Sequence, residues 1–65
     1  MDHLHRYAQE FARNLRRARE LLAAGNAESA RLAADTAYLY AMSGEQFEEL
    51  RSFRASLPRK PDADR

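Results

Sequence analysis

The chain lacks cysteine, tryptophan, valine and isoleucine, and it contains only two glycines and two prolines in 65 residues. Without cysteine it can form neither disulfides nor cysteine-based zinc sites, which support many very small domains. Thr36 is the only β-branched residue, although β-branched residues are enriched in strands. Ala, Leu, Arg and Glu are abundant instead, and all four enter helices at little cost. The composition therefore predicts an all-α protein.

The length allows one small domain, close to the lower limit of what a single apolar core stabilises. With disulfides excluded, close helix packing and association with another chain remain as sources of stability. The net charge is only +1, and no acidic or basic block within residues 1–57 demands a nucleic-acid partner. Arg outnumbers Lys ten to one. Together with the frequent Ala, this is typical of a GC-rich genome, and we expect a bacterial protein.

Long apolar runs are also missing. No run reaches the roughly 18 residues that span a bilayer, and the N-terminus lacks the charged and apolar regions of a signal peptide. We therefore expect a cytoplasmic protein that does not bind a membrane.

Three segments have helical periodicity, and the first covers residues 2–24. Its apolar residues recur at spacings of four and three, which places them on one helix face. These residues are Leu4, Ala8, Phe11, Leu15, Ala18 and Leu22. Gly25-Asn26 is predicted to end this helix and cap the next, since glycine favours the position after a helix and asparagine favours the N-cap.

The second segment, residues 27–42, is apolar on two faces. Its small side chains form one stripe, along which helix 1 is expected to pack: Ala30, Ala34, Ala37 and Ala41. Leu32 and Leu39 lie nearly opposite this stripe, because two residues correspond to about 200° of rotation. A helix with two apolar faces must be covered twice.

Two interpretations are open where the third segment, residues 44–56, begins. In one, a single helix continues through Ser43-Gly44 and leaves a long apolar stripe that a second molecule must cover. In the other, which we favour, Ser43 is an N-cap and Gln46 completes a capping box. The first interpretation gives a helical hairpin that must dimerise or bind a partner, and the second gives a three-helix bundle.

In the three-helix bundle, helix 3 is expected to fold back over the second apolar face of helix 2. Phe47, Leu50 and Phe53 would then cover Leu32 and Leu39. The folded domain would comprise residues 1–57. Residues 58–65 are predicted to be a disordered tail, since they contain two prolines and no large apolar residue.

No set of residues matches a known catalytic or cofactor motif. The sequence has neither a nucleophile elbow nor a glycine-rich phosphate loop. His3 and His5 point in different directions on a helix, so they do not form a joint metal site. The free amine and His3 would suit Cu(II) or Ni(II), which is the least favoured hypothesis. We expect a non-enzymatic protein without cofactor, metal or small-molecule substrate.

Two functions from different classes remain. The first is a helical protein–protein interaction module, such as a small adaptor, chaperone-like or inhibitor protein, which binds a protein partner or a second copy through an apolar helix face. The residues expected to make this contact are Leu32, Tyr38, Leu39, Met42, Phe47, Leu50 and Phe53. The less favoured alternative is a small nucleic-acid-binding regulator. It would use one face of helix 1, with Arg6, Arg13, Arg16 and Arg17.

Acidic residues are interleaved with those arginines. Asp2 is four residues before Arg6, and Arg16 is four residues before Glu20, which is the spacing of helical ion pairs. This pattern favours a solvated, salt-bridged surface over a phosphate-binding one.

The segment LLAAGNAESARLAADTA, residues 21–37, resembles the middle of a tetratricopeptide repeat. The small residues that match this family are Ala18, Gly25, Ala30 and Ala37. Arg17 stands where the family prefers Leu, and Met42 stands where it prefers Pro. The sequence contains no second copy of the repeat, although such repeats are stabilised by their neighbours. The resemblance implies binding of a peptide or protein.

Overall fold

The computed structural model describes residues 3–58, which form three helices and no strand within that range. Helix α1 spans His3–Ala23, α2 spans Ala27–Tyr40 and α3 spans Gly44–Ala55. The prediction of an all-α three-helix fold is therefore confirmed. Asp2, the free amine and the predicted tail beyond Pro58 lie outside the described residues.

The turn between α1 and α2 is a Schellman motif that glycine closes. The N–H of Gly25 donates to the carbonyl of Leu22, and the N–H of Asn26 donates to the carbonyl of Leu21, both at 2.9 Å. Gly25 has a φ of +86°, in the left-handed region. The Asn26 side chain then accepts a hydrogen bond from the N–H of Ser29 at 3.3 Å and caps α2. Both predicted roles of Gly25-Asn26 are confirmed.

Helices α1 and α2 pack antiparallel along a seam of alanines. The four completely buried residues of this seam are Ala18, Ala30, Ala34 and Ala37. At the open end of the hairpin, the ring of Tyr7 contacts the ring of Tyr40 edge-on, with centroids 5.4 Å apart. No large side chain within residues 3–58 is buried as completely as these alanines. Direct helix contact, not a wide interior, therefore holds the hairpin together.

Larger core side chains lie beside the seam. They are Phe11 and Leu15 from α1, Leu50 and Phe53 from α3, and Leu57 just after α3. Helix α3 packs mainly against α2. It also reaches α1, because Arg19 donates to the carboxylate of Glu49 at 3.2 Å.

The helix is interrupted before Ser43, as the favoured interpretation predicts. The Ser43 hydroxyl accepts from the N–H of Gln46 at 3.2 Å, and the Gln46 side-chain oxygen accepts from the N–H of Ser43 at 3.2 Å. The same oxygen accepts from the N–H of Met42 at 2.6 Å. This capping box starts α3 at Gly44, while α2 ends at Tyr40, earlier than predicted. The continuous-helix interpretation is therefore wrong.

One part of the predicted core face of α1 is exposed. The sequence pattern places Leu4 and Ala8 on the same stripe as Phe11, but both are exposed to solvent. Helix α1 has 21 residues and α2 has 14, so the first turns of α1 extend past the end of α2. Periodicity identified the correct face, but α2 ends level with Tyr7, whose ring contacts Tyr40, so Leu4 lies beyond the neighbouring helix. Ala8 is exposed at the same open end of the hairpin.

The two glycines have different backbone conformations, so we expect a substitution by alanine to have opposite effects on stability at the two positions. Gly25→Ala forces a side chain into left-handed backbone, and we expect it to lower the free energy of unfolding by about 1 kcal/mol. Gly44 has no positive φ, and an added methyl group would meet no neighbouring atom within 4 Å. Gly44→Ala should therefore raise the free energy of unfolding by roughly 0.4–1 kcal/mol. Urea unfolding followed by circular dichroism measures both, and a destabilised Gly44→Ala variant would contradict the capped start of α3.

Candidate protein-interaction surface

Five large apolar side chains are exposed along the outer side of α2 and at the start of α3. They are Leu32, Tyr38, Leu39, Met42 and Phe47, and we call them the α2 surface. Leu39 and Leu32 protrude most, with exposed fractions of 72% and 61%. All five belong to the set that the sequence predicts for partner contact.

The other two residues of that predicted set are core residues. Leu50 is 3% exposed and Phe53 is 7% exposed, so neither is available to a partner while the bundle is closed. Helix α3 directs them toward the apolar residues of α1 and α2 beside the alanine seam. The prediction that α3 covers Leu32 and Leu39 is therefore wrong.

The position of α3 has a physical reason. Phe11 and Leu15 lie in one buried cluster with the α3 residues Leu50 and Phe53, and burial of these side chains together removes apolar surface from water. Helix α3 lies where it contacts α1 and α2 together, and the opposite side of α2 stays open. Leu32 and Leu39 are exposed because α3 packs on the other side of α2.

At the corner between α2 and α3, two aromatic rings are in contact. Tyr38 and Phe47 have centroids 5.5 Å apart and ring planes at 62°, an edge-on arrangement. They border a shallow depression of about 450 Å³ that Leu50, Arg51 and Arg54 also line. The α2 surface therefore has an apolar part with two guanidinium groups at its edge.

Asp35 is the only charged residue between Leu32 and Leu39 in the sequence. Its carboxylate accepts a hydrogen bond from the guanidinium of Arg54, which joins α2 to α3. Both side chains are about half exposed, so the pair contributes only on the order of 0–1 kcal/mol to stability. Its main effect is to offset the charge of a carboxylate that lies among exposed apolar side chains.

The arginines of the alternative hypothesis are all exposed on α1: Arg6, Arg13, Arg16 and Arg17. The predicted pair between Arg16 and Glu20 is not among the ion pairs of the described residues. Asp2, the predicted partner of Arg6, lies outside the described part of the chain. Helical spacing places Glu10 near Arg6, Arg13 and Arg17, so this face remains mixed in charge.

Between residues 3 and 58, no three His, Asp or Glu side chains are grouped so that they could hold a metal ion. Across the same range, none of the helices combines the length and the apolar character that crossing a membrane requires.

No family model, curated protein or solved structure matches the chain. The resemblance of residues 21–37 to a tetratricopeptide repeat gains no support from these comparisons.

One substitution made at two leucines separates core from surface. Leu50→Ala removes a buried side chain and should lower the free energy of unfolding by about 2–5 kcal/mol. Leu39→Ala removes an exposed side chain and should change it by less than about 0.5 kcal/mol. Urea unfolding at low micromolar protein concentration measures both. A large loss for Leu39→Ala under these conditions would show that Leu39 is covered in solution.

Proposed function

We propose that this protein is a non-enzymatic helical interaction module, such as a small adaptor, chaperone-like or inhibitor protein, which binds another protein chain through the α2 surface. The observation that supports this most directly is the exposure of five large apolar side chains on a domain of this size. Two of the five, Tyr38 and Phe47, are in direct contact, and exposed apolar patches on soluble domains are typical of interaction sites. Aromatic residues and Met, which this surface contains, are enriched at protein interfaces.

The arrangement of the aromatic residues also supports the proposal. Tyr38 and Phe47 already contact each other edge-on, so a partner would order few additional rotamers there. Arg51 lies beside them in the depression, and Tyr and Arg are common among the residues that dominate binding energy. The start of α3 would therefore anchor a partner, and Leu32 and Leu39 would extend the contact along α2.

A matched pair of variants tests the proposal. Leu39 and Leu4 are 72% and 70% exposed, but only Leu39 belongs to the α2 surface. Tagged protein would be purified from its native cells at endogenous level, and the intact mass of the complex would be determined. We expect Leu39→Glu to reduce recovery of the partner chain at least tenfold, since a buried carboxylate opposes association. Leu4→Glu should retain the partner.

Circular dichroism of both variants serves as the folding control, since each replaces an exposed residue. Equal recovery of the partner with Leu39→Glu and Leu4→Glu would exclude the α2 surface. Recovery of the wild-type protein alone, with the mass of a single chain, would contradict the proposed function itself.

A second candidate function is nucleic-acid binding by the exposed arginines of α1. The observation that favours it is that Arg16 and Glu20 do not form the ion pair expected from their spacing. Arginines without bound carboxylates are free to contact phosphates, and such binding weakens steeply as salt rises.

A gel shift with duplex DNA and single-stranded RNA at low ionic strength tests this candidate. If α1 binds phosphates, the double variant Arg13→Gln/Arg16→Gln should weaken retention several-fold, and Arg51→Gln on α3 should not. The absence of any shift with wild-type protein at low salt would rule this function out.

A further inference from the structure

We propose that the α2 surface binds a second copy of this chain, with the two α2 helices antiparallel about a twofold axis near Asp35-Thr36. The inference rests on the proposed function, because it names the partner of the same surface. Three features support it: the spacing of the leucines, the charge between them and the apolar residues at the edge.

The two exposed leucines are placed symmetrically about Asp35-Thr36. Leu32 and Leu39 are seven residues apart, about 10.5 Å along the helix, and they point to the same side. A twofold axis perpendicular to α2 at Asp35-Thr36 brings Leu32 of one copy against Leu39 of the other, and the reverse. A contact of this kind uses the same surface on both chains and closes after two copies.

The charges at the centre of this contact are complementary. A twofold axis beside Asp35 brings two carboxylates close together, which would repel each other if they were alone. In each copy, however, Asp35 is already bound by Arg54. Under the proposed symmetry the two Asp35–Arg54 pairs meet at the centre of the contact, so two guanidinium groups balance two carboxylates. Opposite charges that meet in this way set the register of an interface.

The residues at the edge widen the contact. A standard interface buries about 800 Å² on each partner, which is more than two leucines expose. Tyr38, Met42 and Phe47 lie at the end of α2 that carries Leu39 and at the start of α3, and all three are exposed. The combined surface is modest, so we expect a dimer that dissociates in the micromolar range.

Sedimentation velocity of the purified full chain, from low micromolar to submillimolar concentration, tests the dimer. We expect the wild type to shift from monomer to dimer as concentration rises. Leu39→Glu should raise the dissociation constant at least tenfold, and the matched variant Leu4→Glu should leave it unchanged. Thermal unfolding by circular dichroism verifies that both variants are folded. Equal effects of the two substitutions would overturn the assignment to the α2 surface.

A separate experiment tests the antiparallel geometry. The chain contains no cysteine, so a single introduced cysteine can form a disulfide only with the same position of a second copy. Thr36 is exposed and lies beside the proposed axis, whereas Glu20 is exposed on α1. Under mild oxidation, Thr36→Cys should form a disulfide-linked dimer much faster than Glu20→Cys. Cross-linking at equal rates would contradict an axis near Asp35-Thr36.

The outcomes separate this inference from the proposed function. Wild-type protein that sediments as a monomer at every concentration overturns the dimer. If Leu39→Glu still abolishes recovery of a different protein from native cells, the proposed function stands with another partner. If the purified chain is monomeric and no partner is recovered from cells, both are wrong.

Discussion

The close approach of α1 and α2 across four alanines is the interaction on which the rest of this structure depends. Alanine loses no side-chain entropy on burial, and its small volume lets two helices pack with their backbones near each other. The seam leaves no room for a large side chain between the helices. Larger apolar residues such as Phe11 and Leu15 therefore lie beside it. They provide the surface on which the third helix packs.

The placement of α3 follows from that arrangement. Its apolar side chains, Leu50 and Phe53, are buried against the hairpin, and its polar side forms ion pairs with each neighbour, through Glu49 to α1 and Arg54 to α2. These pairs are half exposed, so they contribute little to stability but favour one orientation of α3. Burial holds the helix in place, and the charged pairs are compatible with the orientation that burial sets.

Helix α2 thus has neighbours on two adjacent sides and none on the third. Leu32 and Leu39 lie on that third side and are not buried within the monomer, because nothing in residues 3–58 covers them. In a domain this small, each buried leucine adds to the free energy of unfolding. Two exposed leucines do not stabilise the monomer, and they lower its solubility. The pairing of Asp35 with Arg54 in the same region reduces the charge that would oppose a partner. If the proposed function is correct, stability and binding use opposite sides of one helix.

The sequence by itself determined the helices, their boundaries to within a few residues and the two apolar faces of α2. Caps such as Gly25 and Ser43 act through atoms only a few residues away, so they can be read from local sequence. The tertiary structure decided which apolar face α3 covers, since this depends on volumes and charges from distant parts of the chain. Five predicted contact residues are exposed for that reason, whereas Leu50 and Phe53, which have the same periodicity, became core.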